Sequence, residues 1–403
     1  MENISELLSR IGDPQKSFSG VHVAGSDGKG SVCACIHAIL RSSGIRTGLY
    51  TSPHIADLNE RMLADGEHVT DSELSDLAAL VYPIVEEMGS QGRNCTYFDV
   101  TTAMAFLFFK TKNVEYAVIE VGMGGRLDST NVVIPKLCVI GNVSMEHTEF
   151  LGNTIERIAF EKAGIMKPNV PCVTVNDDDV YDVLKRVAEE RGTPLMRVLT
   201  SDIHVEESRS DGVRFAYKGA DYNLPIPGRH QALNAVMAIE ASRLLSLYGE
   251  ERPLAVKEGL NFAEWPCRMQ LVGDFVIDVT HTAAGADRLA ADVAELYGEV
   301  VTVFGVLRDK DIDRLSRDLA LVSRKVFVAP LPTERSADPA CVAEAMRRYT
   351  ADVETSGSVS EAMDAAVRES GGLKVLVTGS FYTAAEAVRH LGGMQKVRRK
   401  EGA

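Results

Sequence analysis

The chain has 403 residues, 45% of them hydrophobic and 25% charged, with 57 acidic against 43 basic side chains and a net charge of −14. Such an acidic balance excludes a general nucleic-acid surface, and the length exceeds what one core comfortably organises, so two domains are expected. No apolar run approaches the roughly 20 residues that span a bilayer. Met1–Lys16 is polar and amphipathic, without the apolar centre of a secretion signal, so a cytoplasmic protein with no membrane partner is expected. The seven cysteines are scattered and odd in number. Cys33, Cys35, Cys138 and Cys172 lie in apolar runs, and Cys33-x-Cys35 is not a zinc spacing, so buried free thiols are expected.

Apolar, β-prone runs alternate with helical patterns along most of the chain. The first strand, 21–24, ends in Gly25-Ser26-Asp27-Gly28-Lys29-Gly30-Ser31, and a helical pattern over 31–43 follows directly. Strands at 47–50, 116–120, 137–143 and 171–175 and helices at 71–88, 98–112, 154–163 and 179–191 complete a first series. This alternation predicts a parallel sheet with helices on both faces, whose ligands collect at the carboxyl ends of the strands. From 195 to 224 the pattern shortens to alternating, turn-rich runs (203–207, 213–218, 221–225), a small antiparallel excursion. Pro227-Gly228 then opens a helix over 231–248. A second α/β series has strands at 275–279, 300–304, 325–329 and 374–378. The domain boundary is expected at Trp265-Pro266, dividing 1–265 from 266–403. The basic tail Lys396–Lys400 reads as a solvated terminus.

The strand–glycine turn–helix at 21–43 is the layout of a phosphate cradle. Glycines let backbone N–H groups approach phosphate oxygens, the helix start adds positive dipole, Lys29 offers a mobile charge and Ser31 a hydroxyl for Mg²⁺. The spacing departs from G-x-x-x-x-G-K-[ST]: two residues separate Gly25 from Gly28, and Gly30 lies between lysine and serine. Glu120 ends a strand beside the turn Gly122–Gly125 and is placed to hold Mg²⁺ opposite that loop, or is a strand-terminal acid. Ser52 offers a second hydroxyl, or a turn cap. His147 follows another strand as a metal ligand or a structural histidine. Lys162 has apolar neighbours at Phe160 and Ile165, which suits either a half-buried lysine of lowered pKa or a snorkelling surface side chain. Asp278 and His281 close a strand of the second series, where a carboxylate can accept from ribose hydroxyls and a histidine can meet a carboxylate, or the segment is an ordinary strand end followed by a helix cap.

The order of these segments carries a resemblance. His22 through Val32, Gly48 through His54, Asn59-Glu60-Arg61, Val118 through Asp128, His147-Thr148-Glu149, Phe160 through Ile165, Phe304 through Leu307, Asp309-Lys310-Asp311 and Val377 through Tyr382 run nearly the whole chain. In them the chain resembles the folylpolyglutamate synthetase/dihydrofolate synthetase branch of the Mur ligase superfamily of ATP-dependent amide-forming enzymes. The resemblance implies an α/β fold: a P-loop central domain with a parallel sheet and a small antiparallel excursion, plus a smaller Rossmann-like C-terminal α/β domain. It implies ligation of L-glutamate to a folate-like acid by a monomer, through an acyl phosphate. Gly28, Lys29, Gly30 and Ser31 would cradle ATP, with Asn234 at the adenine and Arg268 and Asp278 contacting ATP from the second domain. Ser31, Ser52 and Glu120 would hold one Mg²⁺ and His147 a second. Lys162 matches a lysine that is carbamylated in the superfamily. His281 would sit at the glutamate or reacting carboxylate, and Arg61, Arg126 and Ser380 complete the substrate side.

The chain also departs from the family pattern. Ser26-Asp27 replaces the usual Thr-Asn and sets a negative charge beside the phosphates. Asp278-Val279-Thr280-His281-Thr282-Ala283 replaces Asp-Gly-Ala-His-Asn-Pro, and Cys267 stands before Arg268. Two alternatives stand beside the main reading: an amide ligase for a different acid or amino acid, and a nucleotide-binding homologue that forms no amide.

Overall fold

The computed structural model describes residues 1–392; the Lys396–Lys400 tail lies outside them. The first series forms one sheet from β1 (Ser19–Ala24), β2 (Thr47–Tyr50), β3 (Met62–Ala64), β4 (Glu67–His68), β5 (Tyr116–Glu120), β6 (Pro135–Ile140), β7 (Cys172–Thr174) and β8 (Leu195–Arg197). Their order is β4-β3-β2-β5-β1-β6-β7-β8. From β2 through β8 in that order every pairing is parallel, and only the short β3 and β4 join antiparallel at one edge. The central β1 and β5 are buried nearly end to end, as strands covered on both faces must be. Apolar clusters fill the two sides of this sheet, one built on the helix Lys29–Ser42 and the other on the helix Tyr97–Thr111.

The excursion is a three-stranded antiparallel sheet of β9 (Ile203–Arg209), β10 (Gly212–Tyr217) and β11 (Ala220–Leu224). It packs on the first core through Val213, Phe215 and Leu224. The second series forms a separate sheet of β12 (Gln270–Val272), β13 (Phe275–Ile277), β14 (Val300–Phe304), β15 (Ser323–Val328), β16 (Val353–Thr355) and β17 (Val375–Thr378), in the order β12-β13-β17-β14-β15-β16. Only the β12–β13 pairing is antiparallel.

Several boundaries differ from the sequence reading. The strands expected to run to 143 and 279 end at Ile140 and Ile277, and the residues beyond them form the loops that face the cleft. The β3–β4 hairpin, β8, β12 and β16 were not anticipated, because two or three residues are too short to show a period. The amphipathic amino-terminal stretch is a helix, Glu2–Arg10, that buries Ile4, Leu7 and Leu8. All seven cysteines are free; Cys95 is partly buried and Cys341 exposed, the rest buried. Among the described residues no helix is long and apolar enough to cross a membrane.

The helix carrying the phosphate loop is held by close backbone packing. A Cβ at Gly259, in the helix Val256–Asn261, would stand 2.4 Å from Cα of Ile39. Main chain cannot yield as a flexible side chain can. Gly259→Ala is therefore expected to lower stability by about 1–3 kcal/mol, read as a lower denaturant midpoint at unchanged m-value.

Candidate active site

The carboxyl ends of β1, β2, β5 and β6 face those of β13, β14 and β17 across a cavity of about 700 Å³. Gly28, Lys29, Gly30, Ser31, Ser52, Arg61, Glu120 and His147 line it from the first sheet, and Arg268, Asp278, His281 and Ser380 from the second. A second cavity of about 590 Å³ shares Gly30, Ser52, Glu120 and Arg268 with it and extends beneath Trp265. Most of the expected site residues thus come together.

The loop Gly25–Gly28 follows β1, and the helix Lys29–Ser42 begins at Gly28 with φ +79°. A Cβ on Gly28 would lie 2.5 Å from Oδ1 of Asn234, so backbone angle and neighbour both require glycine here. Asn234 does not line the cavity; it packs behind the loop and donates to Oε1 of Gln231 at 2.9 Å. Gly30 gives room to the lone tryptophan, since its Cβ would stand 2.4 Å from the Trp265 ring. Lys29 Nζ donates to the carbonyls of Gly25 and Ser26, both at 3.1 Å, so its charge lies folded along the cradle. Ser31 Oγ is buried without a hydrogen-bond partner among the described residues.

Glu120 is buried and accepts from the backbone N–H of Ser52 at 3.0 Å, which ties the end of β5 to the loop after β2. Burial pushes its carboxyl up, against the opposing pull of Lys29 and that N–H. A cation at the mouth of the loop would relieve this cost. Among the described residues no three His, Cys, Asp or Glu side chains gather as a metal-binding group. One carboxylate with serine hydroxyls is what Mg²⁺ carried by nucleotide phosphates requires, since that ion keeps few protein ligands. The orphaned Ser31 hydroxyl and the strained Glu120 carboxyl fit such an ion.

Lys162 is 1% exposed, so it is neither half-buried nor a snorkelling surface side chain. Its Nζ donates to the carbonyl of Gly25 at 2.7 Å and pairs with Glu146 beneath the phosphate loop. Burial pushes its ammonium down to about 8 in spite of Glu146. Burial opposes ionisation of Glu146 too, yet Lys162 and Lys29 hold that carboxyl below its ordinary value. Glu146 was not singled out from sequence; its adjacency to His147 was the available signal. His147 takes a left-handed backbone, φ +45°, at the start of a short helix that turns toward the cleft.

In the second domain several expected ligands turn out to hold backbone. Asp278 Oδ2 accepts from the N–H of Met269 at 2.9 Å and Oδ1 from that of Thr280 at 2.7 Å. Cys267 and Met269 both have positive φ, so Asp278 stabilises the bend that aims Arg268 at the cleft. Ser380 Oγ caps the helix Phe381–His390 by accepting from the N–H of Thr383 at 3.0 Å. His281 packs against Phe381 and bonds the carbonyl of Val279 through Nδ1 at 3.0 Å; burial lowers its pKa, favouring the neutral ring. Arg61 donates to Nδ1 of His54 at 3.0 Å and lies over the ring of Tyr97. Glu60, also unforeseen, shapes that loop by accepting the N–H groups of Ile55, Ala56 and Asp57 at 2.8–2.9 Å. Arg126 does not line the cavity; its guanidinium is engaged by Glu161, on the helix that carries Lys162.

Thr282, which stands where the family pattern has asparagine, caps the helix Ala283–Tyr297 by accepting from the N–H of Gly285 at 3.1 Å. Threonine for asparagine at a cap, and alanine for proline just after it, preserve the start of this helix. Val279 is buried in the second core.

The fold and this cleft are those of a Mur-type ligase: residues 23–242 match the Mur ligase middle domain, and 267–381 match the Mur ligase, glutamate ligase domain. The folylpolyglutamate synthase of Lacticaseibacillus casei is 33% identical over 97% of this chain and 94% of its own length. The dihydrofolate synthase/folylpolyglutamate synthase of Bacillus subtilis is 32% identical over 96% and 94%. The solved structure of Mycobacterium tuberculosis folylpolyglutamate synthase complexed with ADP superposes with a TM-score of 0.88 at 30% identity, covering 98% of this chain and 94% of that one. A probable bifunctional folylpolyglutamate synthase/dihydropteroate synthase of Haloferax volcanii is 35% identical, and the present chain spans 48% of its length. The chain belongs to the folylpolyglutamate synthase/dihydrofolate synthase family.

Gly28→Ala is expected to displace Asn234 or the loop and to weaken nucleotide binding at least about tenfold, ~1.4 kcal/mol, in a calorimetric titration with ADP. The far-ultraviolet circular dichroism should be unchanged.

Proposed function

We propose that this chain is an ATP-dependent ligase adding L-glutamate to a folate-type acid, either dihydropteroate or the growing glutamate tail of tetrahydrofolate. The observation that carries this reading is the meeting of the phosphate loop with Arg268, His281 and Lys310 of the second domain in one cleft. The substrate carboxylate attacks the γ-phosphorus of ATP; an oxygen–phosphorus bond forms, the β–γ bridge breaks and ADP leaves. Loop N–H groups and Lys29 spread the developing charge. Ser31, Ser52 and Glu120 would hold one Mg²⁺ and His147 a second, and the bound ions offset phosphate charge. The glutamate amine then attacks the acyl carbon, and the tetrahedral adduct expels phosphate to leave the amide. His281, favoured neutral by burial, is suited to take the proton the amine gives up. Arg268 and the second domain keep water from the acyl phosphate.

Tyr97 beside Arg61 and Trp265 and Phe381 beside Arg268 border the two cavities with aromatic faces, which suits a flat heteroaromatic acid. Thr282 caps its helix and also lines the cavity, so a ligase for a different amine stands as the second outcome of the assay below. We propose further that the chain divides functionally at 265/266 and acts as a cytoplasmic monomer, its mass in solution checked by light scattering.

Purified protein with ATP, L-glutamate and either acid should release ADP only when acid and amine are both present, and the product mass should rise by one glutamyl residue. Lys29→Ala should lower that rate at least about a hundredfold while the melting temperature is kept; unchanged turnover would remove the phosphate loop from the reaction. Lys162 carries a second expectation. A pKa near 8 leaves part of the amine unprotonated at neutral pH and able to add carbon dioxide, with loss of one proton and of the ion pair to Glu146, giving the carbamate that the family resemblance implies. With ¹³C-bicarbonate a carbamate signal should grow as pH rises through about 8 and be missing in Lys162→Arg.

A further inference from the structure

Asp27 is an acid set in a loop built to receive a polyanion. It lines the main cavity beside Gly28 and Lys29, and its own N–H is fixed by Oδ1 of Asn142 at 3.0 Å. At effective dielectric constants near 20, a unit charge at 4 Å is worth about 4 kcal/mol, so a bare carboxylate here would oppose a triphosphate strongly. The other domain answers that charge. Arg288, on the helix Ala283–Tyr297, donates to Oδ2 of Asp27 at 2.7 Å across the cleft.

The position of Arg288 is set by its neighbours along one helix face. One turn on, Asp292, 5% exposed, accepts the N–H of Arg229 at 3.1 Å and bonds Nδ1 of His230 at 3.0 Å. Glu295 then pairs with the Arg229 guanidinium through two bonds of 2.6 Å. Residues 288, 292 and 295 are spaced four and three apart, so they share a face. That face grips the first domain at both the phosphate loop and the start of the helix Gln231–Leu247. Burial raises the Asp27 carboxyl, but Arg288, joined by Lys29 and His281, holds it below its ordinary value.

We propose that Arg288 is a positioning residue for the nucleotide: from the second domain it neutralises Asp27, so that the loop can accept phosphate despite its added acid. The inference rests on the nucleotide reading above. It treats Asp27 and Arg288 as one unit, in which arginine is needed because aspartate is there. A direct phosphate contact by Arg288 would make the opposite prediction, since the arginine would then matter whatever stands at 27.

The test is a double-mutant cycle read by calorimetric ADP affinity and by KM for ATP against kcat. Arg288→Ala should weaken ADP binding and raise KM for ATP about tenfold, with kcat less affected. Asp27→Asn alone should bind at least as well as the parent, and Asp27→Asn with Arg288→Ala should return within about twofold of it. Arg288→Lys should keep most of the affinity, and thermal melts of all variants should show that they are folded. If the double variant stays as weak as Arg288→Ala, or if Arg288→Ala binds normally, the proposal is overturned. Failure of the parent protein itself to bind ADP would instead overturn the nucleotide reading.

Discussion

Charge balance around one backbone loop governs this site. A cradle of N–H groups accepts a polyanion only if the protein's own carboxylates nearby are answered by cations, and three such carboxylates surround Gly25–Ser31. Glu146 is answered by Lys162 from below, and Asp27 by Arg288 from across the cleft. Glu120 has Lys29 among the charges that oppose its burial but forms no ion pair among the described residues. It is therefore the carboxylate with charge to offer an incoming ion. Lys162 is buried and Glu146 partly buried, and removing the glutamate would leave the lysine's charge uncompensated beneath the loop. Because Lys162 also bonds the Gly25 carbonyl, the same side chain ties loop geometry to loop charge.

The two sheets divide the work. The first supplies a rigid receptacle, because β1, β2, β5 and β6 end side by side and their loops inherit the register of strands buried almost end to end. The second supplies groups that arrive from the opposite wall: Arg268 on its strained bend, His281 against Phe381, and the Arg288 face of one helix. A catalytic surface split between two bodies can exclude water when they meet, which an acyl phosphate requires.

A recurring device is the polar side chain spent on backbone. Glu60 gathers three N–H groups of the loop after β2, Asp278 holds the turn around Arg268, and Ser380 and Thr282 cap helices that point into the cleft. Along the chain Asp278 and Ser380 read as ligands, Thr282 as a departure from the family pattern, and Glu60 had no role of its own. Loops that must present charge without collapsing need their own N–H groups satisfied, and these residues do that.

Alternation of apolar strands and helical patterns, the glycine turn before Lys29 and the antiparallel excursion at 203–224 were legible in the sequence, because period and turn chemistry are local properties. So was the family, since its motifs keep their order whatever the distances between them. What contacts what across long separations was not local. Arg126, which looked like an anion partner, is engaged by Glu161, and Lys162, which could have been a surface lysine, is enclosed beneath the loop. The acid at Asp27 looked like a defect in a phosphate site until Arg288, 261 positions along the chain, was found against it. Burial and ion pairing depend on the whole set of neighbours in space. Only the tertiary structure could decide them.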